Sequence, residues 1–210
     1  MTEPDLELEV AWQQYVSRDR HALDRLLARH REKHRRYHTV HHVAWVIRHV
    51  RELATVEHVE HLDEVIAASF YHDAVYEASY TANERASARL ARRDLTALGW
   101  TDEAIERVES MIEATKHDRS TGADDSGDTS VLLDADLAIL GADPAAYSTY
   151  VAGVRAEYRY LDDEDWRAGR STVIAEFLAR STIFSTQAGH GWWEDRARAN
   201  LTAELAALDA

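Results

Sequence analysis

The chain contains no cysteine, only two prolines and eight glycines among 210 residues, and far fewer basic than acidic side chains. Without cysteine there are no disulfides and no thiolate metal ligands, as expected of a protein made for a reducing cytoplasm. Scarce proline and glycine leave little room for a turn-rich β fold. Lysine and arginine number 24 against 38 aspartates and glutamates, a net charge of -14. That balance argues against a nucleic-acid backbone or an anionic membrane as partner. It leaves open a local basic pocket for a small phosphate-bearing substrate. No apolar run approaches the roughly 20 residues of a membrane span. The acidic start (Glu3, Asp5, Glu7, Glu9) is unlike a signal peptide.

The length suits one domain, 1–210, with 45% hydrophobic residues to fill a core. Apolar periodicity is helical nearly throughout. It predicts helices over Leu6 to Tyr15, His21 to His30, His38 to Leu53, Leu62 to Phe70 and Glu84 to Leu98. Gly99 ends the fifth, and Thr101 caps a sixth with Ile105, Val108, Ile112 and Thr115 inward. Gly141 closes a helix through Asp136, and Asp143-Pro144 opens another as N-cap and N1. Two more run from about Glu164 to Arg180 and Trp193 to Leu208, and Asp118 to Thr129 is a long polar loop. The expected fold is an all-α, single-domain helix bundle.

Asp136 sits in the most apolar stretch of the chain, Val131 to Leu140. On a helix it shares a face with Leu132, Leu133, Ile139 and Leu140, while Asp134 falls near the opposite side with Ala138. A carboxylate on a buried face needs a partner, a hydrogen bond or a cation. Most of the 12 histidines read as surface residues, among them His21, His30, His34, His58, His61 and His190. His38 and His42 are spaced i, i+4, so both project from one face of the predicted third helix. The alternative for this pair is a capping or core role. His72-Asp73 ends an apolar helix with His72 turned inward, and a second such dipeptide, His117-Asp118, ends another. His42, His72, Asp73 and Asp136 together offer two imidazoles and two carboxylates. Such a set suits a borderline divalent ion better than calcium or a thiolate-loving metal.

At these residues the chain resembles the HD-domain metal-dependent phosphohydrolase superfamily, and within it a small bacterial subgroup of predicted HD phosphohydrolases. The strings that carry the resemblance are Tyr37-His38-Thr39-Val40-His41-His42, Phe70 to Tyr76, Asn83 to Ala88, and Asp134 to Gly141. It covers a core of about 37–141, on which 143–210 would pack. It implies a divalent ion (Mn, Fe, Co, Ni, Zn or Mg) held by His42, His72, Asp73 and Asp136, with His38 as general acid. Dinuclear members carry extra histidines before the last Asp, and this chain offers only His117 there, so one ion is implied. The expected reaction is hydrolysis of a phosphate ester or anhydride of a small molecule, a nucleotide foremost. Glu84 or Glu77 would serve as proton acceptor and Lys116, His117 and Arg155 would contact substrate, the alternatives being a solvated surface lysine for Lys116 and an ion pair with Glu157 for Arg155. Two alternatives share those ligands: an HD-type iron oxygenase, and a non-catalytic nucleotide-sensing or structural metal module. The oligomeric state is open, a homodimer included.

Overall fold

In the computed structural model, which describes residues 3–116 and 127–208, every regular element is helical. The helices are α1 (Glu3–Tyr15), α2 (Arg20–Arg29), α3 (Val40–Leu53), α4 (Leu62–Tyr71), α5 (Asn83–Ala97), α6 (Asp102–Ala114), α7 (Gly127–Leu137), α8 (Pro144–Glu157), α9 (Asp163–Ala179) and α10 (Gln187–Leu208). A 3-10 turn, Ala138–Gly141, follows α7. Local chemistry sets many of the starts. Asp19, Thr39, Thr101, Asp143 and Asp162 each accept a hydrogen bond from a backbone N–H of the first turn they cap. Beyond α5, Gly99 takes a positive φ of 84°, the left-handed conformation that stops a helix at low cost.

α4 is the centre of the body. Val65 to Tyr71 are all buried, and α4 packs against α1, α3, α5, α6 and α7. α3 lies along it, burying Val43, Val46, Ile47 and Val50, and also meets α7. These three helices therefore converge, and they carry or end at His42, His72 and Asp136. The 3-10 turn is pressed on α10 so closely that a Cβ on Gly141 would lie 2.5 Å from the Cβ of Trp193.

Three expectations need correction. His38 is not helical: α3 begins at Val40 behind its Thr39 cap, so the i, i+4 face argument does not apply to His38 and His42. His30 is fully buried rather than exposed, its Nε2 3.2 Å from the Phe70 carbonyl, and burial pushes its pKa down to about 3. Asp134 is not on an outer face but is 1% exposed. It accepts from Ser185 N and Thr186 N (both 2.8 Å) and Thr186 Oγ1 (2.7 Å), at the start of α10. Burial raises its pKa to about 6 against the pull of those donors. The helical wheel misjudged it because the stretch from Ser185 to Gly189, distant in sequence, packs on that side of α7. Asp134→Ala is expected to cost about 2–3 kcal/mol in urea denaturation, since the buried amide and hydroxyl of Thr186 and the part-buried amide of Ser185 lose their acceptor. Asp136→Ala should cost less in metal-free protein. The Asp118 to Thr129 loop falls mostly outside the described residues; Gly127 to Thr129 belong to α7.

Candidate metal centre and its cavity

Four side chains meet where α3, the end of α4 and α7 come together. His42 Nε2 lies 3.0 Å from His72 Nε2, 3.4 Å from Asp73 Oδ2 and 3.2 Å from Asp136 Oδ1. His72 Nε2 lies 3.2 Å from the same Asp73 oxygen and 3.6 Å from the Asp136 oxygen. Around a zinc-like ion with ligands at about 2.0–2.2 Å, neighbouring ligand atoms sit roughly 2.9–3.5 Å apart. Four of the five distances fall in that range, and the fifth, His72 to Asp136 at 3.6 Å, lies just beyond it. The buried group His42, His72 and Asp73 could hold a metal ion.

Protonation supports the same chemistry. His72 Nδ1 is 2.9 Å from the Ser69 carbonyl, an acceptor, so it carries a proton and leaves Nε2 a bare lone pair in the neutral ring. Two imidazole nitrogens 3.0 Å apart cannot both point protons at each other. Burial works to lower both imidazole pKa values, but the Asp136 and Asp73 carboxylates outweigh it and raise them. Burial likewise works to raise Asp73, yet His72, His38 and His42 hold it well below the usual carboxylate range. The cluster calls for positive charge, which a cation supplies without crowding protons together.

His38 stands at the edge of the cluster, its Nε2 4.0 Å from Asp73 Oδ2. It is fixed by residues that sequence reasoning did not select. Glu157, at the end of α8 and buried, accepts from the backbone N–H of Arg36 (2.6 Å), Tyr37 (2.8 Å) and His38 (3.0 Å) through Oε1. Its Oε2 takes His38 Nδ1 at 2.7 Å. Buried Arg35 donates to the carbonyls of His38 (3.0 Å) and Asp73 (2.7 Å), tying the 36–38 segment to the His72-Asp73 turn. Tyr76 stacks on the His38 ring at 4.1 Å between centroids. No sequence signal marks Arg35 or Glu157, because each acts across a long gap in the chain. Burial would raise the Glu157 pKa, but His38 and the backbone amides bring it down to about 2. Since that lies below the unfolded value, its stabilisation is full above about pH 4.5 and fades as pH falls towards 2. Urea midpoints of wild type and Glu157→Gln should therefore differ most near neutrality and converge towards pH 2.

A cavity of about 290 Å³ opens beside His38 and Asp136. Tyr37, Tyr150, Ile139, Lys116 and the buried Arg170 are among the residues that line it. Arg170 donates to both Glu204 oxygens (2.8 and 2.9 Å) and to Tyr150 Oη (3.2 Å), so its charge is matched within the fold. Of the residues expected at substrate, Lys116 is there and His117 lies outside the described residues. Arg155 is elsewhere: it bonds Asp163 (2.8 Å) and the carbonyls of Tyr158 and Leu161 and does not line this cavity. Glu77 is exposed, 4.0 Å from His34 Nε2, and lines a different, smaller cavity. Glu84, in the first turn of α5, makes no hydrogen bond or ion pair with the cluster.

No family model matches the chain. No curated protein matches it, and no solved structure does. None of the described helices is long and apolar enough to cross a membrane.

Proposed function

We propose that the protein is a metal-dependent phosphohydrolase acting on a small phosphate ester or anhydride, a nucleotide foremost, of the kind the resemblance to HD-domain enzymes implies. The observation that carries this is the convergence of four ligand atoms beside a fixed histidine and a cavity bearing a lysine. His42, His72, Asp73 and Asp136 would hold one divalent ion. When bound, such an ion lowers the pKa of a water towards about 7 and polarises a phosphoryl oxygen. Asp73, facing both His42 and His38, is sited to ligate and to orient the attacking water. His38, held by Glu157, donates a proton to the leaving oxygen. Lys116 at the cavity offers a charge for the phosphate. Glu77 and Glu84 receive no role, since neither contacts the cluster.

The iron-oxygenase alternative draws less support, because the described residues contain one ligand group rather than two. The test is metal determination on protein prepared without chelator, then a phosphatase and nucleotidase screen with Mn, Co, Ni and Mg. Hydrolysis that requires the metal supports the proposal; retained metal with no turnover on the whole panel counts against it. Lys116→Ala is expected to raise KM about tenfold, or 1.4 kcal/mol, with a smaller change in kcat. An unchanged KM would remove Lys116 from the substrate site.

A further inference from the structure

A slot of about 270 Å³ lies between α8 and α9, with Val154, Trp166 and Gly169 on its lining. Tyr158, Arg170 and Val173 line both this slot and the cavity beside the ligand cluster. Trp166, Arg170, Val173 and Phe177 recur at intervals of three and four, so they share one face of α9, and the two cavities follow one another along it. Val173 is 41% exposed, so the seam between them is open to solvent there. Alone, each cavity is small beside the roughly 300–1,000 Å³ of ordinary ligand sites.

The walls select what can lie there. Apart from His38, Lys116 and Asp136 at the cluster end, the described lining of both cavities is apolar or tyrosine, save Arg170. Glu204 matches that guanidinium at 2.8 and 2.9 Å. The described lining includes no Asn, Gln, Ser or Thr to pair with a sugar hydroxyl or the edge of a base, and a polar group buried without a partner is costly. Tyr37, Tyr150, Tyr158, Phe177 and Trp166 instead present flat apolar surface, which suits aromatic rings. We propose that the two cavities act as one groove for a phosphate ester of an extended aromatic alcohol, its phosphate at the cluster and its rings running along α9 into the slot. This rests on the phosphohydrolase reading and narrows its substrate from the nucleotide that the resemblance puts first to an aryl ester. The bond that forms joins a water oxygen to phosphorus, and the bond that breaks joins phosphorus to the aryl oxygen. That oxygen takes the His38 proton while a proton of the water is released, giving a phenol and inorganic phosphate.

The experiment compares 2-naphthyl phosphate, phenyl phosphate and adenosine monophosphate on the whole protein loaded with Mn²⁺. The two aryl esters release oxygens of similar acidity, so their difference reports on the second ring. KM for the naphthyl ester should be at least about tenfold below that for the phenyl ester, the low end of what a small apolar group gains in a fitted pocket. It should also be below that for the nucleotide. A Cβ at Gly169 would meet no atom within 4 Å, so a side chain can be added at the slot without displacing its neighbours. Gly169→Leu, and Val173→Asp at the exposed seam, should each remove most of the naphthyl preference, with thermal unfolding as the check on the fold. Equal KM for the two aryl esters, a preference that survives both variants, or a lower KM for the nucleotide overturns the groove. Failure of the phosphohydrolase reading looks different. Among the indole N–H resonances of the six tryptophans, that of Trp166 is identified by its loss in Trp166→Phe. No turnover of any ester, with a Trp166 resonance that 2-naphthyl phosphate moves saturably, leaves the groove standing and counts against hydrolysis alone. No turnover and an unmoved resonance sinks both.

Discussion

Asp73→Ala is expected to lose the ion and the activity together. Asp73 Oδ2 lies 3.4 Å from His42 Nε2 and 3.2 Å from His72 Nε2, and its charge balances two buried imidazoles. Removing it leaves fewer anionic ligands and a cluster dominated by imidazole nitrogens 3.0 Å apart. Affinity for the divalent ion should fall by more than about 100-fold, beyond the cost of losing an outer partner. Turnover should fall to background, because the oriented water depends on the same side chain. The fold should survive, since Asp73 supports it mainly through its backbone carbonyl, which Arg35 takes at 2.7 Å. Circular dichroism checks the fold and equilibrium dialysis the metal. A variant that keeps its ion but loses turnover would make Asp73 a base rather than a ligand.

His38→Ala is expected to separate the two functions in the opposite sense. His38 Nε2 reaches only to 4.0 Å of Asp73, and its other nitrogen is committed to Glu157 at 2.7 Å. The ion should stay with unchanged affinity while kcat drops roughly 10²–10⁴-fold, the worth of a positioned general acid. Glu157→Gln should give a milder fall of about 10²-fold, at the low end of that range. Loss of the ion in His38→Ala would mean that ligand and acid have been exchanged.

The sequence carried the helices well, because they bury periodic apolar faces and five of the ten described begin at a side-chain cap. Thr101 and Asp143 are local signals with local effects, whereas the Thr39 cap goes unread and α3 is started two residues early. His42, His72 and Asp136 were legible because polar groups interrupt apolar faces, and their side chains do meet. Long-range contacts were not legible. Glu157 lies 119 residues from His38 and looks like any helix-end glutamate. Asp134 and His30 were misplaced because the layers covering them, α10 and α4, cannot be assigned from their own neighbours in the chain. Arg155 looked like a substrate contact only because its own partner, Asp163 on the next helix, is settled by packing.

Metal stoichiometry tests the centre most directly. Elemental analysis of protein prepared without chelator and reloaded with Mn²⁺ or Zn²⁺ should give about one divalent ion per wild-type chain and almost none in Asp73→Ala. Wild-type protein that takes up no ion under those conditions would contradict it, leaving a buried His and Asp cluster held together by protons alone.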